Sequence, residues 1–202
     1  KYDSWEATVD KIAGLLQAEF GRHQVLADSD KLAEYEKTYF SKVLNREASV
    51  VDLTAALEKL SEMLTKHYGK APIIIIDEYD TPMQEAYVNS FWEEMVAFIR
   101  SLFNSTFKTN PYMGRAIMTG ITRVSKESVF SDLNNLKVVT TTSNEYATAF
   151  GFTEEEVFAA LEQCGLGEEK GKVKEWYDGF VFGEQEDIYN PWSILNFLDT
   201  GE

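Results

Sequence analysis

The sequence predicts an α/β fold with a parallel sheet and flanking helices, followed by a helix-rich region. Residues 73–76 are four consecutive isoleucines, an apolar run typical of a strand buried on both faces. A second apolar run at 116–118 comes after a helical stretch, and strands that alternate with helices are typical of parallel sheets. With 44% hydrophobic and 26% charged residues, the chain has the composition of an ordinary folded protein.

Three amphipathic helices are predicted before the first strand. In the first, Asp3 and Ser4 are candidate caps for an apolar face made of Trp5, Val9, Ile12, Leu16 and Phe20. The second would carry Leu32, Tyr35, Tyr39, Phe40 and Val43. The third has leucines at 53, 57, 60 and 64 and would end at Gly69, a residue suited to a helix stop.

The block from Pro72 to Thr142 has the order expected of a parallel sheet with crossover helices. After the isoleucine strand, a long helix would present Phe91, Met95, Phe98, Ile99 and Leu102. The strand Ala116–Met118 follows. A short helix holding Val129, Phe130 and Leu133 and a third strand from Leu136 to Thr141 would complete the block.

The pattern changes at Phe150, where an α-rich region is expected. Residues 153–156 form a capping box that opens a helix. A glycine-containing turn or hairpin is predicted over 178–188, and Asn190-Pro191 begins a final helix. We therefore divide the chain into residues 1–149 and 150–202. Six aromatic residues of the second part are expected to pack its core, with stacking on an adenine or on a partner's side chain as the alternative: Trp176, Tyr177, Phe180, Phe182, Tyr189 and Trp192.

Charge and composition limit the function classes. The chain has 34 acidic and 19 basic residues, a formal net charge of −15, which disfavours direct nucleic-acid binding. No apolar run is long enough to span a membrane and no signal peptide opens the sequence, so we expect a cytoplasmic protein. Cys164 is the single cysteine and is expected to pack as a small apolar group at a helix end.

Two adjacent acids follow the isoleucine strand, and they are the sharpest chemical signal in the sequence. Asp77 and Glu78 would lie at the carboxyl edge of the sheet, where open α/β folds bind ligands. In nucleotide hydrolases the first acid in this position holds Mg²⁺, usually through water, and the second orients the attacking water. Asp80, two residues later, strengthens this interpretation over a simple turn or helix cap.

Two other enzyme classes also place acids after an apolar strand. A phosphatase nucleophile loop requires two aspartates two residues apart, whereas Asp77 and Asp80 are three apart. Helicase motor domains contain the string D-E-x-D, which residues 77–80 match. A helicase also needs a second motor domain and a basic track for the strand, and this acidic chain provides neither.

The second strand ends in hydroxyl and guanidinium groups. Thr119, Thr122 and Arg123 follow it, and they would lie beside the acids if the two strands are neighbours. Arg123 could bridge phosphate oxygens or pair with an acid, because its planar fork binds either. These residues are typical of a sensor for the terminal phosphate.

The sequence resembles the AAA-ATPase-like family of bacterial and archaeal proteins, whose ATPase domain is commonly followed by a PD-(D/E)XK nuclease-like domain. The matching segments are His67-Tyr68-Gly69-Lys70, Ile76-Asp77-Glu78-Tyr79-Asp80-Thr81-Pro82, Thr119-Gly120-Ile121-Thr122-Arg123-Val124, Lys126-Glu127-Ser128, Leu133-Asn134-Asn135-Leu136, Phe150-Gly151-Phe152-Thr153, Trp176-Tyr177-Asp178-Gly179-Phe180 and Tyr189-Asn190-Pro191-Trp192-Ser193. They extend over essentially the whole chain.

The resemblance implies a partial P-loop NTPase-like core over 1–149 and a helical lid over 150–202. Asp77 and Glu78 would be the Walker B acids, with Glu78 and Arg123 in catalytic roles. Asp77, Asp80, Thr119 and Thr122 would contact the cofactor, and Asp77 would hold Mg²⁺ through water. The cofactors of the intact protein would be ATP and Mg²⁺, and none is expected to bind this chain alone.

The sequence departs from the family in lacking the glycine-rich loop. None of its twelve glycines lies in a G-x-x-x-x-G-K-[ST] string, so no phosphate-binding loop is present. We therefore expect a fragment that is inactive alone and whose intact parent hydrolyses ATP. The alternative is a non-catalytic interaction module, in which the lid aromatics and acidic helices bind a protein partner or a second subunit.

Overall fold

The computed structural model describes residues 3–121, 133 and 136–201. The chain forms two compact units, an N-terminal unit of Lys1–Leu136 and a C-terminal unit of Lys137–Glu202. The boundary predicted from the sequence lies later in the chain, between residues 149 and 150. Mixed α/β structure is confirmed, with a parallel pair of strands in the first unit and an antiparallel sheet in the second. In the described residues, no helix is both long and apolar enough to cross a membrane.

In the described residues, four α-helices precede the first strand, where the apolar spacing predicts three. They are α1 (Trp5–Gly21), α2 (Glu34–Leu44), α3 (Val50–Thr54) and α4 (Ala56–Tyr68). The Ser4 hydroxyl accepts a hydrogen bond from the Ala7 N–H at 3.2 Å and caps α1. The stretch predicted as a single helix, the third, is divided into α3 and α4. Helix α4 ends at Gly69, which has the left-handed conformation (φ 70°).

The two predicted strands of the N-terminal unit form a parallel pair. Strand β1 (Ile73–Ile76) is followed by α5 (Thr81–Val88) and α6 (Trp92–Phe103), a π-helical turn (Asn104–Lys108) and β2 (Arg115–Met118). The register pairs Ile73 with Arg115 and Ile76 with Met118. Both strands therefore end at the same edge, and this pairing positions the candidate site.

The prediction that β1 is buried on both faces is wrong for this chain. Ile74 is buried, whereas Ile73 and Ile75 on the opposite face are 62% and 69% exposed. Ile117 of β2 is exposed as well. The hydrophobic core lies among the helices, and the half-buried Ile76 and Met118 pack against it. The described helices of this unit therefore cover one side of the strands and leave the other exposed.

The predicted third strand is also wrong. Residues 136–141 have no strand structure, and Leu136, Val138 and Val139 are exposed. A turn follows at once, in which Ser143 N–H bonds to the Thr140 carbonyl and the Ser143 hydroxyl accepts from Thr140 N–H. These local bonds compete with strand pairing. The helix predicted around Val129 and Phe130 lies outside the described residues.

The C-terminal unit combines three helices with a three-stranded sheet. Its elements are β3 (Phe152–Thr153), α7 (Glu154–Gln163), α8 (Lys170–Tyr177), β4 (Asp178–Phe182), β5 (Gln185–Tyr189) and α9 (Pro191–Thr200). Strand β5 lies between β3 and β4 and is antiparallel to both, which confirms the predicted hairpin. The capping box is confirmed too, because Glu156 N–H donates to the Thr153 hydroxyl at 3.3 Å.

Two side-chain predictions for this unit need correction. Among the six aromatic residues, Tyr189 is fully buried, but Trp176 and Trp192 are 71% and 75% exposed. The small core formed by Val157, Leu161, Val173, Ile194 and Phe197 leaves the two tryptophans at the surface. Cys164 does lie at a helix end, after α7, but it is exposed and not packed.

Candidate active site

The two strand ends meet, as the sequence predicted. Backbone pairing continues past the strands, since Thr119 N–H donates to the Ile76 carbonyl at 2.9 Å and Tyr79 N–H donates to the Thr119 carbonyl at 3.1 Å. The chain leaving β1 and the chain leaving β2 therefore remain side by side for several residues. This places Asp77, Glu78 and Thr119 in one neighbourhood.

Asp77 and Thr119 are joined through their side chains. The Thr119 hydroxyl donates a hydrogen bond to Asp77 Oδ1, and Glu78 N–H lies 3.4 Å from the same hydroxyl oxygen. The Asp77 carboxylate is otherwise exposed, and Thr119 is half-buried. One hydroxyl thus orients an open carboxylate and approaches the backbone of the next acid.

Glu78 has an uncommon backbone conformation. Its φ is +53°, in the left-handed region that non-glycine residues rarely adopt. The Glu78 carbonyl accepts from Thr81 N–H at 3.1 Å, so the chain turns here before α5 begins. The Glu78 side chain is exposed in this turn. Backbone strain of this kind clusters at functional sites and motivates a functional hypothesis for Glu78.

Asp80 is the buried acid of the group, with 1% of its surface exposed. Its Oδ2 accepts hydrogen bonds from Ile121 N–H at 3.1 Å and from Gln84 Nε2 at 2.8 Å. Its backbone carbonyl accepts from Met83 and Gln84 N–H at the start of α5. Asp80 therefore connects the turn after β1 with the loop after β2.

Gly120 lies close to the turn that follows β1. A Cβ added here would be 2.7 Å from Asp80 Oδ1 and 2.7 Å from Tyr79 Cε1, closer than such atoms normally approach. The Tyr79 ring is held in turn against Phe103 of α6, with the ring centroids 6.3 Å apart. Only glycine fits between the carboxylate and the ring.

The donor set suits a magnesium ion that is held mainly through water. Asp77 offers an exposed carboxylate oxygen beside a hydroxyl group, and Mg²⁺ prefers such oxygen ligands and keeps most of its water shell. Among the described residues, no group of three or more His, Cys, Asp or Glu side chains could hold a metal directly. Such a cage is not needed for Mg²⁺, because substrate phosphates supply the other ligands.

Two of the predicted site residues, Thr122 and Arg123, lie outside the described residues. Three others are brought together, since Asp77, Glu78 and Thr119 are in contact through hydrogen bonds. Sequence reasoning missed Gln84 and the Ile121 amide. The i, i+4 spacing of Asp80 and Gln84 at the start of a helix could have indicated their contact, whereas no sequence signal points to a backbone N–H.

Comparison with known proteins identifies the family. The chain is 28% identical over 135 residues to a protein of Azotobacter chroococcum mcd 1 described as "Uncharacterized protein in vnfD 5'region". The match covers 66% of this chain but 26% of that relative, so this chain spans about a quarter of its length. No solved structure matches the sequence.

A family profile described as "Predicted AAA-ATPase" matches residues 12–130, more than half of the chain. The matched region contains both strands of the parallel pair and the acids that follow β1. The protein belongs to the AAA-ATPase-like family.

Proposed function

We propose that this chain supplies the magnesium-and-water half of the active site of an ATP-hydrolysing protein. The observation that carries the proposal is the contact between two strand ends: Asp77 and Glu78 follow β1, and the Thr119 hydroxyl from β2 bonds to Asp77. Open α/β folds bind their ligands at this edge of the sheet. Membership of the AAA-ATPase-like family supports the same interpretation.

Each polar group has a proposed role. Asp77 would position Mg²⁺ through water, and Glu78 would orient or deprotonate the water that attacks the terminal phosphate. These roles require the adjacent acids to point in different directions, and the left-handed backbone at Glu78 would separate them. Thr119 and Thr122 would bind the cofactor through their hydroxyls, and Arg123 would sense the phosphate. ATP and Mg²⁺ would be the cofactors.

We also propose that the phosphate-binding loop belongs to another segment of the full-length protein. Parallel sheets are normally covered on both faces, yet Ile73, Ile75 and Ile117 are exposed on one face of the β1–β2 pair. A strand and helix flanking a glycine-rich loop would cover this surface and complete a P-loop NTPase-like sheet. Residues 1–149 would then be a partial ATPase core with the helical lid following it, and this chain alone would hydrolyse little ATP.

The Mg²⁺ dependence of ATP hydrolysis by the full-length protein tests the role of Asp77. Asp77→Asn should raise the Mg²⁺ concentration required for half-maximal turnover by about tenfold or more, because a neutral amide attracts the hydrated cation less strongly. Asp30→Asn removes a similarly exposed carboxylate elsewhere in the N-terminal unit and should change nothing. The same Mg²⁺ requirement in both variants would rule out the proposed role.

The coding sequence upstream of Lys1 offers a separate test. A G-x-x-x-x-G-K-[ST] loop between a strand and a helix would support the enzyme. A natural start codon close to Lys1 would oppose it and favour a binding module.

A protein-interaction role is the second candidate, favoured by the two exposed tryptophans of the C-terminal unit. Trp176 lies on α8 and Trp192 on α9, and exposed aromatic residues are enriched at protein interfaces. Under this alternative, Trp192→Ala would weaken binding to a protein partner while Glu78→Gln would have no effect on any activity of the full-length protein. A strong effect of Glu78→Gln on ATP turnover would exclude a purely non-catalytic role.

A further inference from the structure

We infer that Asp80 is a positioning residue of the candidate site, an inference that rests on the proposed function. Its carboxylate holds the loop that leaves β2 against the turn that carries Asp77 and Glu78. The low exposure of Asp80 argues against direct contact with a cofactor. The residue would act on catalysis through the backbone that it fixes.

The direction of the Asp80 side chain is the first observation. Asp80 is the N-cap residue of α5, a position where aspartate usually accepts a hydrogen bond from the first turn of its own helix. Here its side chain makes no such cap. It reaches instead to the neighbouring loop and accepts from Ile121 N–H at 3.1 Å. The carboxylate therefore connects two segments that are distant in sequence.

Its burial is the second observation. A buried carboxylate is costly unless hydrogen bonds compensate for the lost water. Gln84 lies one helical turn later on α5 and donates to the same oxygen that accepts from Ile121, so it fixes the carboxylate orientation. An apolar side chain could fill this volume but could not accept from the Ile121 N–H. The position therefore requires an acceptor.

The location of the bond explains its effect on the site. Hydrogen bonds from Thr119 N–H and Tyr79 N–H already join the segment after β1 to the segment after β2. The Ile121–Asp80 bond extends this pairing past Gly120, which lies against the Asp80 and Tyr79 side chains. It thus reinforces the placement of Thr119 beside Asp77 and fixes Ile121, from which the chain continues toward Thr122 and Arg123.

Amide hydrogen exchange in the 202-residue chain tests the structural part of the inference. Asp80→Ala should speed exchange of the Ile121 N–H by about tenfold or more, while Phe98 in the core of α6 keeps its protection. Asp80→Asn retains an oxygen acceptor and should keep most of the Ile121 protection. Asp30→Ala is the matched control and should leave it unchanged. Because Asp80 does not cap α5, loss of helix capping cannot produce this local pattern.

An unchanged Ile121 exchange rate in Asp80→Ala would overturn the inference, as would an equal increase at Phe98, which indicates general destabilisation. Should Asp80→Ala not fold, Gln84→Leu removes the bond that orients the carboxylate and is measured in the same way. It should speed exchange at Ile121 by a smaller factor, and no change there would likewise overturn the inference.

The functional part is measured as ATP turnover by the full-length protein. Asp80→Ala should lower kcat by about tenfold or more and change KM for ATP by less than about threefold, because it misplaces groups needed for the reaction and not for ATP binding. Asp80→Asn should restore much of kcat. An unaltered kcat in Asp80→Ala would overturn the inference even if the Ile121 N–H exchanges faster in that variant. Absence of ATP turnover in the wild-type protein would instead reject the proposed function, and the exchange data would still decide whether Asp80 fixes the loop.

Discussion

At the scale of single residues, the backbone of Glu78 is strained in a way that its side chain does not explain. The left-handed conformation costs an L-residue about 1–2 kcal/mol, and Glu78 has φ +53° with an exposed carboxylate. The exposed side chain offers little packing energy to offset that cost. The proposed role of Glu78 as a catalytic carboxylate would account for this combination as a trade of stability for placement.

Glu78→Gly should therefore stabilise the N-terminal unit relative to Glu78→Gln. Glycine adopts positive φ without a steric penalty, although its greater freedom in the unfolded chain offsets part of the gain. We expect a net increase of about 1 kcal/mol in the free energy of unfolding, measured by chemical denaturation. Glu78→Gln keeps the backbone preferences of the wild type and serves as the control. A glycine variant less stable than the glutamine variant would show that the turn is not strained.

Gly120→Ala should destabilise the same unit by about 1–3 kcal/mol, because its Cβ would contact both Asp80 Oδ1 and the Tyr79 ring. Gly171→Ala is the matched control, since no atom lies within 4 Å of the position of its added Cβ and the residue is in α8. Alanine is the better helix former, so this control should be neutral or stabilising. Thermal unfolding measures the stability of both variants. An equal change in stability in Gly120→Ala and Gly171→Ala would contradict the close approach at Gly120.

At the scale of secondary-structure elements, the capping box of α3 contributes to folding stability through the charge of Asp52. Ser49 N–H and the Ser49 hydroxyl donate to Asp52 Oδ2 at 2.9 and 2.8 Å, which closes the capping box of α3. The backbone N–H and then the hydroxyl stabilise the charged carboxylate, so the pKa of Asp52 is lowered from its ordinary value of 3.8. A charged Asp52 thus favours the folded state.

This lowered pKa predicts a pH-dependent difference between the wild type and Asp52→Asn. The stabilising effect is fully present above the unfolded-state pKa of 3.8 and is lost as the pH falls through the lower folded-state pKa. The difference in unfolding free energy should therefore shrink on acidification. Denaturation of both proteins at a series of pH values measures it, with Asp30→Asn as a control for general charge effects. A free-energy difference that grows as the pH falls would contradict the predicted direction.

Elements with a strong local pattern could be predicted from the sequence. Apolar spacing, capping residues and the isoleucine run located α1, α6, β1 and β2, because these signals are local. The segment 136–141 shows the limit of this reasoning. Its Val138-Val139 pair favours a strand, but threonine and serine side chains that form the following turn compete with pairing.

The candidate site was predictable only as far as parallel strands bring their ends to one edge. Asp77, Glu78 and Thr119 follow from that rule. The Ile121 amide does not, because a backbone N–H looks the same at every position of the sequence. The exposure of Ile73 and Ile75 was not predictable either, since a buried strand and a half-covered strand can have identical composition.

At the scale of the whole molecule, the β1–β2 pair has one face that the described helices leave exposed. Parallel strands are normally covered on both faces, so these exposed apolar residues support the proposal that a further segment of the full-length protein covers them. The match to about a quarter of a longer relative is consistent with such additional segments. The exposed face therefore makes a prediction that differs between this chain and the full-length protein.

Ile75→Lys should change the stability of the 202-residue chain by about 0.5 kcal/mol or less, because Ile75 is exposed there. In the full-length protein the same substitution should cost about 3 kcal/mol or more, because it would bury an unpaired charge beneath the added segment. Ile74→Lys, on the covered face, should destabilise both proteins. Equal, small effects of Ile75→Lys in both proteins would show that this face remains exposed.

The proposed role of Glu78 is to act on the attacking water in an ATP site. Its most direct test is single-turnover ATP hydrolysis by the full-length protein with Glu78→Gln, compared with Glu155→Gln, which changes an exposed glutamate on α7. We predict that Glu78→Gln binds ATP normally but hydrolyses it about 100-fold more slowly or worse, since the amide cannot accept the proton of the water, while Glu155→Gln matches the wild type. Hydrolysis by Glu78→Gln at the wild-type rate would contradict the claim.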